Sequence, residues 1–178
     1  TIYFFRGDYN SALDNYTQAY TLALKRKNPR DADLARYLQN IGIINAQKGD
    51  YAQAEEAMAS SLEIIELNSA ADDPDLANRY LNMGRFMTLE YNVAEALVFF
   101  EKAESILLKK VGANHPDLGS LYQNMGQAYI HMADYEKALT FFNKALAIAT
   151  VNLEPGHPNI LSINMNIGYV YEKKGDFT

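Results

Sequence analysis

The chain has 178 residues, a formal net charge of −6 and no cysteine. Its length allows a substantial core, but its acidic balance leaves no basic stripe of the kind that binds nucleic-acid phosphates. Disulfides and thiolate metal sites are excluded, and no apolar run approaches the roughly 18 residues that a membrane-spanning helix needs. We therefore expect a cytoplasmic protein with no cofactor, no metal, and no nucleic-acid or membrane partner.

One structural unit is copied along the whole chain with a period of 42 residues. The register is marked by four glycines and by an asparagine two residues before each: Gly42, Gly84, Gly126 and Gly168, with Asn40, Asn82, Asn124 and Asn166. A fixed period of this size predicts a solenoid, a propeller or a helical array. We divide the chain into a partial copy at 1–30, full copies at 31–72, 73–114 and 115–156, and a partial copy at 157–178. Because the chain opens inside a copy and without an initiator methionine, we expect it to be part of a longer protein.

Each copy is predicted to form two helices. In chain order, the expected N-caps of the first helices are Asp31, Asp73, His115 and His157. Proline follows both histidines and is tolerated at the first helical position, where its missing N–H is not needed. In the third full copy, apolar residues then recur at intervals of three and four: Leu118, Leu121, Tyr122, Met125, Ala128 and Tyr129. This spacing is typical of a helix that is buried on one side.

A tight turn is expected between the two helices of each copy. The turns read Gly7-Asp8-Tyr9, Gly49-Asp50-Tyr51, Ala133-Asp134-Tyr135 and Gly175-Asp176-Phe177. Glycine suits the left-handed residue after a helix, and aspartate caps the next one. Glu90-Tyr91-Asn92-Val93 lacks the Gly-Asp pair, which leaves open a bend, a partner contact or a tolerated substitution.

The residue pattern decides between architectures that share this period. WD40 blades need four alternating strands per copy, whereas this chain carries alanine, leucine and methionine at helical spacing, and HEAT or armadillo units would also be helical. Tyr122-x2-Met125-Gly126-x2-Tyr129, followed by Ala138-x3-Phe142 and Ala145, resembles the tetratricopeptide repeat signature. The register glycines and alanines are small enough to let two helices approach closely. The resemblance implies an all-α, right-handed α-solenoid of antiparallel helix pairs.

The period also resembles a subclass of that family. Tetratricopeptide units normally have about 34 residues, whereas the copies here have 42 and carry the loops Gly112-Ala113-Asn114-His115-Pro116 and Gly156-His157-Pro158. These features are similar to the subclass found in kinesin light chains and in many bacterial signalling proteins. Kinesin light chains usually have Asn-Asn-Leu-Ala where this chain has Gln39-Asn40-Ile41-Gly42.

The resemblance implies a concave groove, lined by the first helices, that holds an extended peptide. In kinesin light chains the ladder asparagine hydrogen-bonds the peptide backbone; alternatively, it could bridge adjacent first helices and stabilise the stack. Carried onto this sequence, the groove residues are Arg36, Gln39, Asn40, Ile43, Gln47, Asn78, Leu81, Asn82, Arg85, Leu89, Gln123, Asn124, Gln127, His131, Met165, Asn166, Tyr169 and Lys173. The expected ligand has an acidic residue near Arg36 or Arg85 and an apolar one near Leu81 and Leu89.

The sequence contains no recognisable catalytic motif. It lacks a cysteine nucleophile, a motif around any Ser-His-Asp set, and a glycine-rich phosphate loop. His115 and His157 lie one full copy apart, too far to share a metal, and are expected to cap helices. We expect a non-enzymatic scaffold that binds a protein or peptide. The alternatives are a regulatory arm of a larger signalling enzyme, such as a CHAT-type protease or kinase, and self-association through exposed terminal copies, where the last helix lacks its partner.

Overall fold

The computed structural model describes residues 8–26 and 31–175, and within these ranges the chain is helical, without strands. The helices are α1 (Tyr9–Leu24), α2 (Asp31–Lys48), α3 (Tyr51–Asn68), α4 (Pro74–Leu89), α5 (Val93–Lys110), α6 (Pro116–His131), α7 (Tyr135–Asn152) and α8 (Pro158–Lys174). Three of the first helices, α4, α6 and α8, begin at prolines one period apart. The prediction of two helices per copy is confirmed.

The chain forms two compact units, residues 1–86 and 87–178. In the first unit α2 packs against α1 and α3, and in the second α6 packs against α5 and α7, while α7 also contacts α8. Each unit therefore contains one complete helix pair, α2–α3 or α6–α7. The predicted apolar spacing of α6 is confirmed, since Leu118, Leu121 and Met125 are buried.

The register glycines allow close helix contact in both of these pairs. A Cβ on Gly42 would lie 2.5 Å from Cγ of Met58, and one on Gly126 would lie 2.8–2.9 Å from three ring atoms of Phe142. Such distances leave no room for a side chain. At Gly168 no atom of the described residues lies within 4 Å of the corresponding position, so the expected close contact stays a prediction there.

The turns keep one backbone conformation even where their sequences differ. Gly49 (φ 83°), Tyr91 (φ 60°), Ala133 (φ 56°) and Gly175 (φ 78°) are all left-handed and stand one period apart. Tyr91 thus occupies the same turn as the glycines, so the backbone does not bend differently at Glu90-Tyr91-Asn92. Gly7, Asp176 and Phe177 lie outside the described residues.

Most of the expected caps are confirmed. Nδ1 of His115 and of His157 accepts the backbone N–H two residues later, and an oxygen of Asp73 accepts that of Asp75. The carboxylate of Asp8 accepts the backbone N–H of Ser11, and that of Asp134 accepts the backbone N–H of Lys137. Hydrogen bonds to these two residues lower the pKa of both carboxyl groups.

Two expected caps are not formed as predicted. Asp50 makes no cap hydrogen bond, because its carboxylate lies 3.4 Å from the ammonium group of Lys48 instead. Asp31 is the first helical residue of α2 rather than the residue before it. The exact start of a helix is therefore less predictable than its existence.

Candidate functional site

The residues expected to face a ligand lie on one type of helix, α2, α4, α6 or α8, and we call them the first-helix surface. All of them are exposed or half-buried except Gln39, which is 5% exposed and was wrongly assigned to this surface. The corrected set is Arg36, Asn40, Ile43, Gln47, Asn78, Leu81, Asn82, Arg85, Leu89, Gln123, Asn124, Gln127, His131, Met165, Asn166, Tyr169 and Lys173. In each unit, these side chains are therefore available to solvent rather than committed to the core.

Two of the four ladder asparagines, Asn40 and Asn124, form hydrogen bonds within their own helices. Nδ2 of Asn40 donates to the carbonyl of Arg36 at 3.0 Å, and Nδ2 of Asn124 donates to that of Ser120 at 2.7 Å. A side-chain amide has two N–H hydrogens and an accepting oxygen. One such bond orients the group and leaves a donor and an acceptor for a further partner.

Bonds between neighbouring first helices are made by other residues. In the first unit, Nη1 of Arg79 on α4 donates to the carbonyl of Ala35 on α2 at 3.3 Å. In the second unit, Nε2 of Gln123 on α6 donates to Oδ1 of Asn159 on α8 at 3.1 Å. Arg79 and Gln123 thus each bridge two neighbouring first helices.

The first unit carries a group of arginines on this surface. Arg36 forms a 2.9 Å ion pair with Asp33 and lies over the ring of Tyr37. Burial lowers the pKa of Arg79, as does the nearby charge of Arg36, while Asp75 opposes the shift. Arginine remains charged under these conditions, so positive charge is concentrated here although the whole chain is acidic.

Sequence reasoning missed Arg79. Its register position holds Tyr37, Leu121 and Ile163 in the other copies. The available signal was that Arg79 is charged whereas the equivalent residues of the other copies are not. This difference would have indicated a bridging or ligand-facing role for Arg79.

The second unit presents apolar groups on its first helices and on the turn that contains Tyr91. Leu89 is 57% exposed and Tyr91 is 78% exposed, and the Tyr91 ring meets that of His131 edge-on with centroids 5.4 Å apart. Further along, Nζ of Lys173 lies 5.3 Å above the ring of Tyr169. Such aromatic groups supply contact area for a partner and are enriched where proteins bind each other.

The described residues contain no group of three or more side chains that could hold a metal ion. None of the described helices is both long enough and apolar enough to cross a bilayer. The first-helix surface is the candidate functional site.

The fold defines an all-α helical repeat solenoid. The chain matches the tetratricopeptide repeat family over residues 1–67, 75–150 and 120–178, and it belongs to that family. Repeats of this family typically mediate protein–protein interaction. A search of curated proteins returned no match.

Three solved structures show how widely the fold is shared. BtubC (BKLC) from P. vanneervenii is 22% identical with a TM-score of 0.86, over 98% of this chain and 70% of that one. A kinesin light chain-like protein of Podosopora anserina with nearly identical TPR-like repeats is 18% identical with a TM-score of 0.79, over 98% and 83% of the two chains. MamA is 19% identical with a TM-score of 0.63, also over 98% and 83%. The resemblance to kinesin-light-chain-like repeat proteins is thereby confirmed at the level of the fold.

Proposed function

We propose that the first-helix surface binds an extended segment of a partner protein. One observation carries the proposal: all of the side chains in the corrected set are accessible, whereas the small register residues Ala54, Ala96 and Ala138 of the second helices are fully buried. The buried residues hold the helices together, which leaves the accessible ones free to vary for recognition. Asn40 and Asn124 would pair with the peptide backbone through their remaining amide groups, and each such bond contributes about 1 kcal/mol.

The charges suggest the chemistry of the ligand. Arg36 is already paired with Asp33, so Arg85, which is exposed, is the better partner for an acidic residue of the ligand in the first unit. In the second unit, Leu89 and the Tyr91–His131 ring pair offer contact to an apolar side chain. The proposed ligand is therefore an extended segment that contains both acidic and apolar residues.

A displayed library of extended peptides, selected against this chain, tests the proposal. We expect the selected peptides to bind at least tenfold more weakly to the double variant Asn82→Ala/Asn124→Ala, and more weakly to Arg85→Ala, with unchanged thermal unfolding. Matched controls are Asn143→Ala and Lys109→Ala, because both residues are exposed on second helices. Equal loss of affinity in the controls, or none in the surface variants, would contradict the proposal.

A second candidate is self-association through α8. Among the described residues, no atom lies within 4 Å of a Cβ placed on its Gly168, and Leu161 and Tyr171, on the same side of α8, are exposed. We propose that a second copy of the chain covers this side. Sedimentation over a range of concentrations should reveal dimers that Leu161→Glu abolishes; a monomer at all concentrations excludes this candidate.

A further inference from the structure

The second unit contains a cavity that the first-helix surface does not include. It has a volume of about 140 Å³ and lies between the N-terminal parts of α6 and α8 and the C-terminal part of α7. Its apolar lining includes Gly119, Ile148 and Ala149, and its polar lining includes Ser120, Asn152 and Asn159. Ile148 and Ala149 are buried, so the apolar part lies in the core while exposed residues such as Ser120 reach the surface.

Two small residues account for the cavity. At the register position of Gly119 the two preceding copies have Ala35 and Ala77, and at that of Ala149 they have Ile65 and Leu107. These four equivalents are all buried and fill space. In this copy, one methyl group is missing on α6 and most of a large aliphatic side chain is missing on α7.

The backbone does not close over the missing volume. A Cβ on Gly119 would lie 3.3 Å from Cγ2 of Ile148, so a single methyl group would already touch the opposite wall there. The remaining space is beside Ala149, where the two preceding copies place Ile65 and Leu107 and the partial first copy has Ala23. Protein interiors are normally close-packed, which makes an unfilled space of this size a candidate binding site.

The mouth of the cavity adjoins the first-helix surface. The carbonyl of Ser120 accepts the hydrogen bond from Nδ2 of Asn124, and Oδ1 of Asn159 accepts the one from Nε2 of Gln123. Asn124 and Gln123 both belong to that surface. A chain that contacts these two residues therefore lies next to Ser120 and Asn159, which line the cavity.

We propose that this cavity binds one aliphatic side chain, of leucine or methionine size, from the segment held by the first-helix surface. That the side chain comes from a bound segment rests on the proposed function, whereas the existence of the apolar site does not. An engineered cavity of about 150 Å³ in another protein binds benzene, so a space of this volume holds a group of that size. The polar residues at the mouth suit the backbone that would carry the side chain.

Benzene serves as the first probe because it tests the site without a peptide. Methyl NMR signals of Ile148 and Leu153 should shift saturably on titration, while those of Ile44 in the other unit should not. Ala149→Leu restores the residue type of Leu107 and should weaken benzene binding at least tenfold. Ala147→Leu, at an exposed position of α7, is the matched control that should bind as the wild type does.

A peptide experiment then tests the source of the side chain. A selected peptide should lose at least tenfold in affinity when its apolar residue is changed to alanine, and this loss should disappear in Ala149→Leu. The absence of saturable benzene shifts, or equal benzene binding in Ala149→Leu, would overturn the site. If benzene binds as expected but no peptide does, the proposed function has failed, and with it the assignment to a peptide side chain.

Discussion

The pairs α2–α3 and α6–α7 use the same backbone arrangement with different interiors. In α2–α3, Ser61 is fully buried and its hydroxyl donates to the carbonyl of Ala35 at 2.6 Å. Nε2 of Gln39 and Oδ1 of Asn45 are buried there without a hydrogen-bond partner. A buried polar atom without a partner destabilises a fold by about 1–3 kcal/mol.

The α6–α7 pair has apolar and aromatic residues instead. Ala145 takes the position of Ser61, and Tyr129 that of Asn45. The rings of Tyr129 and Phe141 stack at 5.4 Å, and Nζ of Lys144 lies 4.9 Å from the centroid of Phe141. The small register residues thus allow the close approach of the two helices, whereas the residues around them determine how stable the pair is. We therefore expect α6–α7 to be the more stable pair.

The largest expected effect tests the close contact that both pairs share. Gly126→Ala should destabilise the protein by roughly 2–3 kcal/mol, because the new methyl group meets a rigid ring, that of Phe142. Gly42→Ala should also destabilise it, because Met58 can move aside but the backbone carbonyl oxygen of Ala54, 3.0 Å from the new methyl group, cannot. Urea denaturation of each variant gives the free energy of unfolding.

Gly168→Ala is the control for these two variants. With no atom within 4 Å, it should be neutral or add up to about 1 kcal/mol of helix propensity. A Gly126→Ala variant that is as stable as the wild type would show that the contact with Phe142 is looser than the structure indicates.

The next effect concerns the unpartnered amide in the first pair. Asn45→Met introduces the residue found at Met87, one period later, and removes the buried oxygen that lacks a partner. We expect a gain of about 1–2 kcal/mol in the free energy of unfolding, measured in urea. Gln47→Met, at an exposed position of the same helix, should change it by less than about 0.5 kcal/mol. An unchanged or lower stability of Asn45→Met would mean that the amide has a partner in solution.

The turns allow a reciprocal exchange between the pairs. Gly49 and Ala133 are both left-handed, a conformation that disfavours any residue with a Cβ by about 1 kcal/mol. Gly49→Ala should therefore lower the melting temperature and Ala133→Gly should raise it, as measured by circular dichroism. Melting temperatures that shift in the same direction in both variants would contradict the prediction, because the left-handed residue would then not cost the same free energy in the two turns.

Periodicity was sufficient to predict the helices and the buried side of each one. Leu118 and Met125 could be assigned to the core from their spacing, and the histidine caps from the proline that follows each of them. These features depend on residues close together in the chain. They could therefore be read from the sequence with little knowledge of tertiary contacts.

Side-chain partners between helices could not be predicted in this way. Gln39 and Gln123 share one register position, yet Gln123 finds Asn159 on the neighbouring helix whereas Gln39 has an unpartnered nitrogen. The position of Asn159 is occupied by Asp75 in the earlier copy. The cavity beside Ala149 was missed for the same reason, because it depends on which residues of three helices face each other.

The smallest expected effect concerns a tyrosine position that the two units share. Tyr80 donates to Oε1 of Glu66 at 2.7 Å, and Tyr122 donates to Oε1 of Glu104 at 2.8 Å. The two glutamates do not occupy equivalent positions of the repeat, since they lie about one helical turn apart in the register. The tyrosine hydroxyl therefore donates to a carboxylate at a different repeat position in each unit. Burial, followed by the bond to Glu66, raises the pKa of Tyr80 to about 12 from its usual 10.0, and burial with the Glu104 bond also raises that of Tyr122.

Because the pKa of Tyr80 is higher in the folded state than in the unfolded one, the folded state keeps the proton more tightly. Its contribution to stability is complete below pH 10 and is lost as the pH rises from 10 to about 12. Near pH 8, Tyr80→Phe should lower the free energy of unfolding by about 0.5 kcal/mol, because it removes a partly exposed hydrogen bond. Near pH 11 the difference from the wild type should shrink, since the wild-type protein now loses stability through this ionisation. Urea denaturation at the two pH values measures this change, and a difference that stays constant would mean that the bond to Glu66 does not persist in solution.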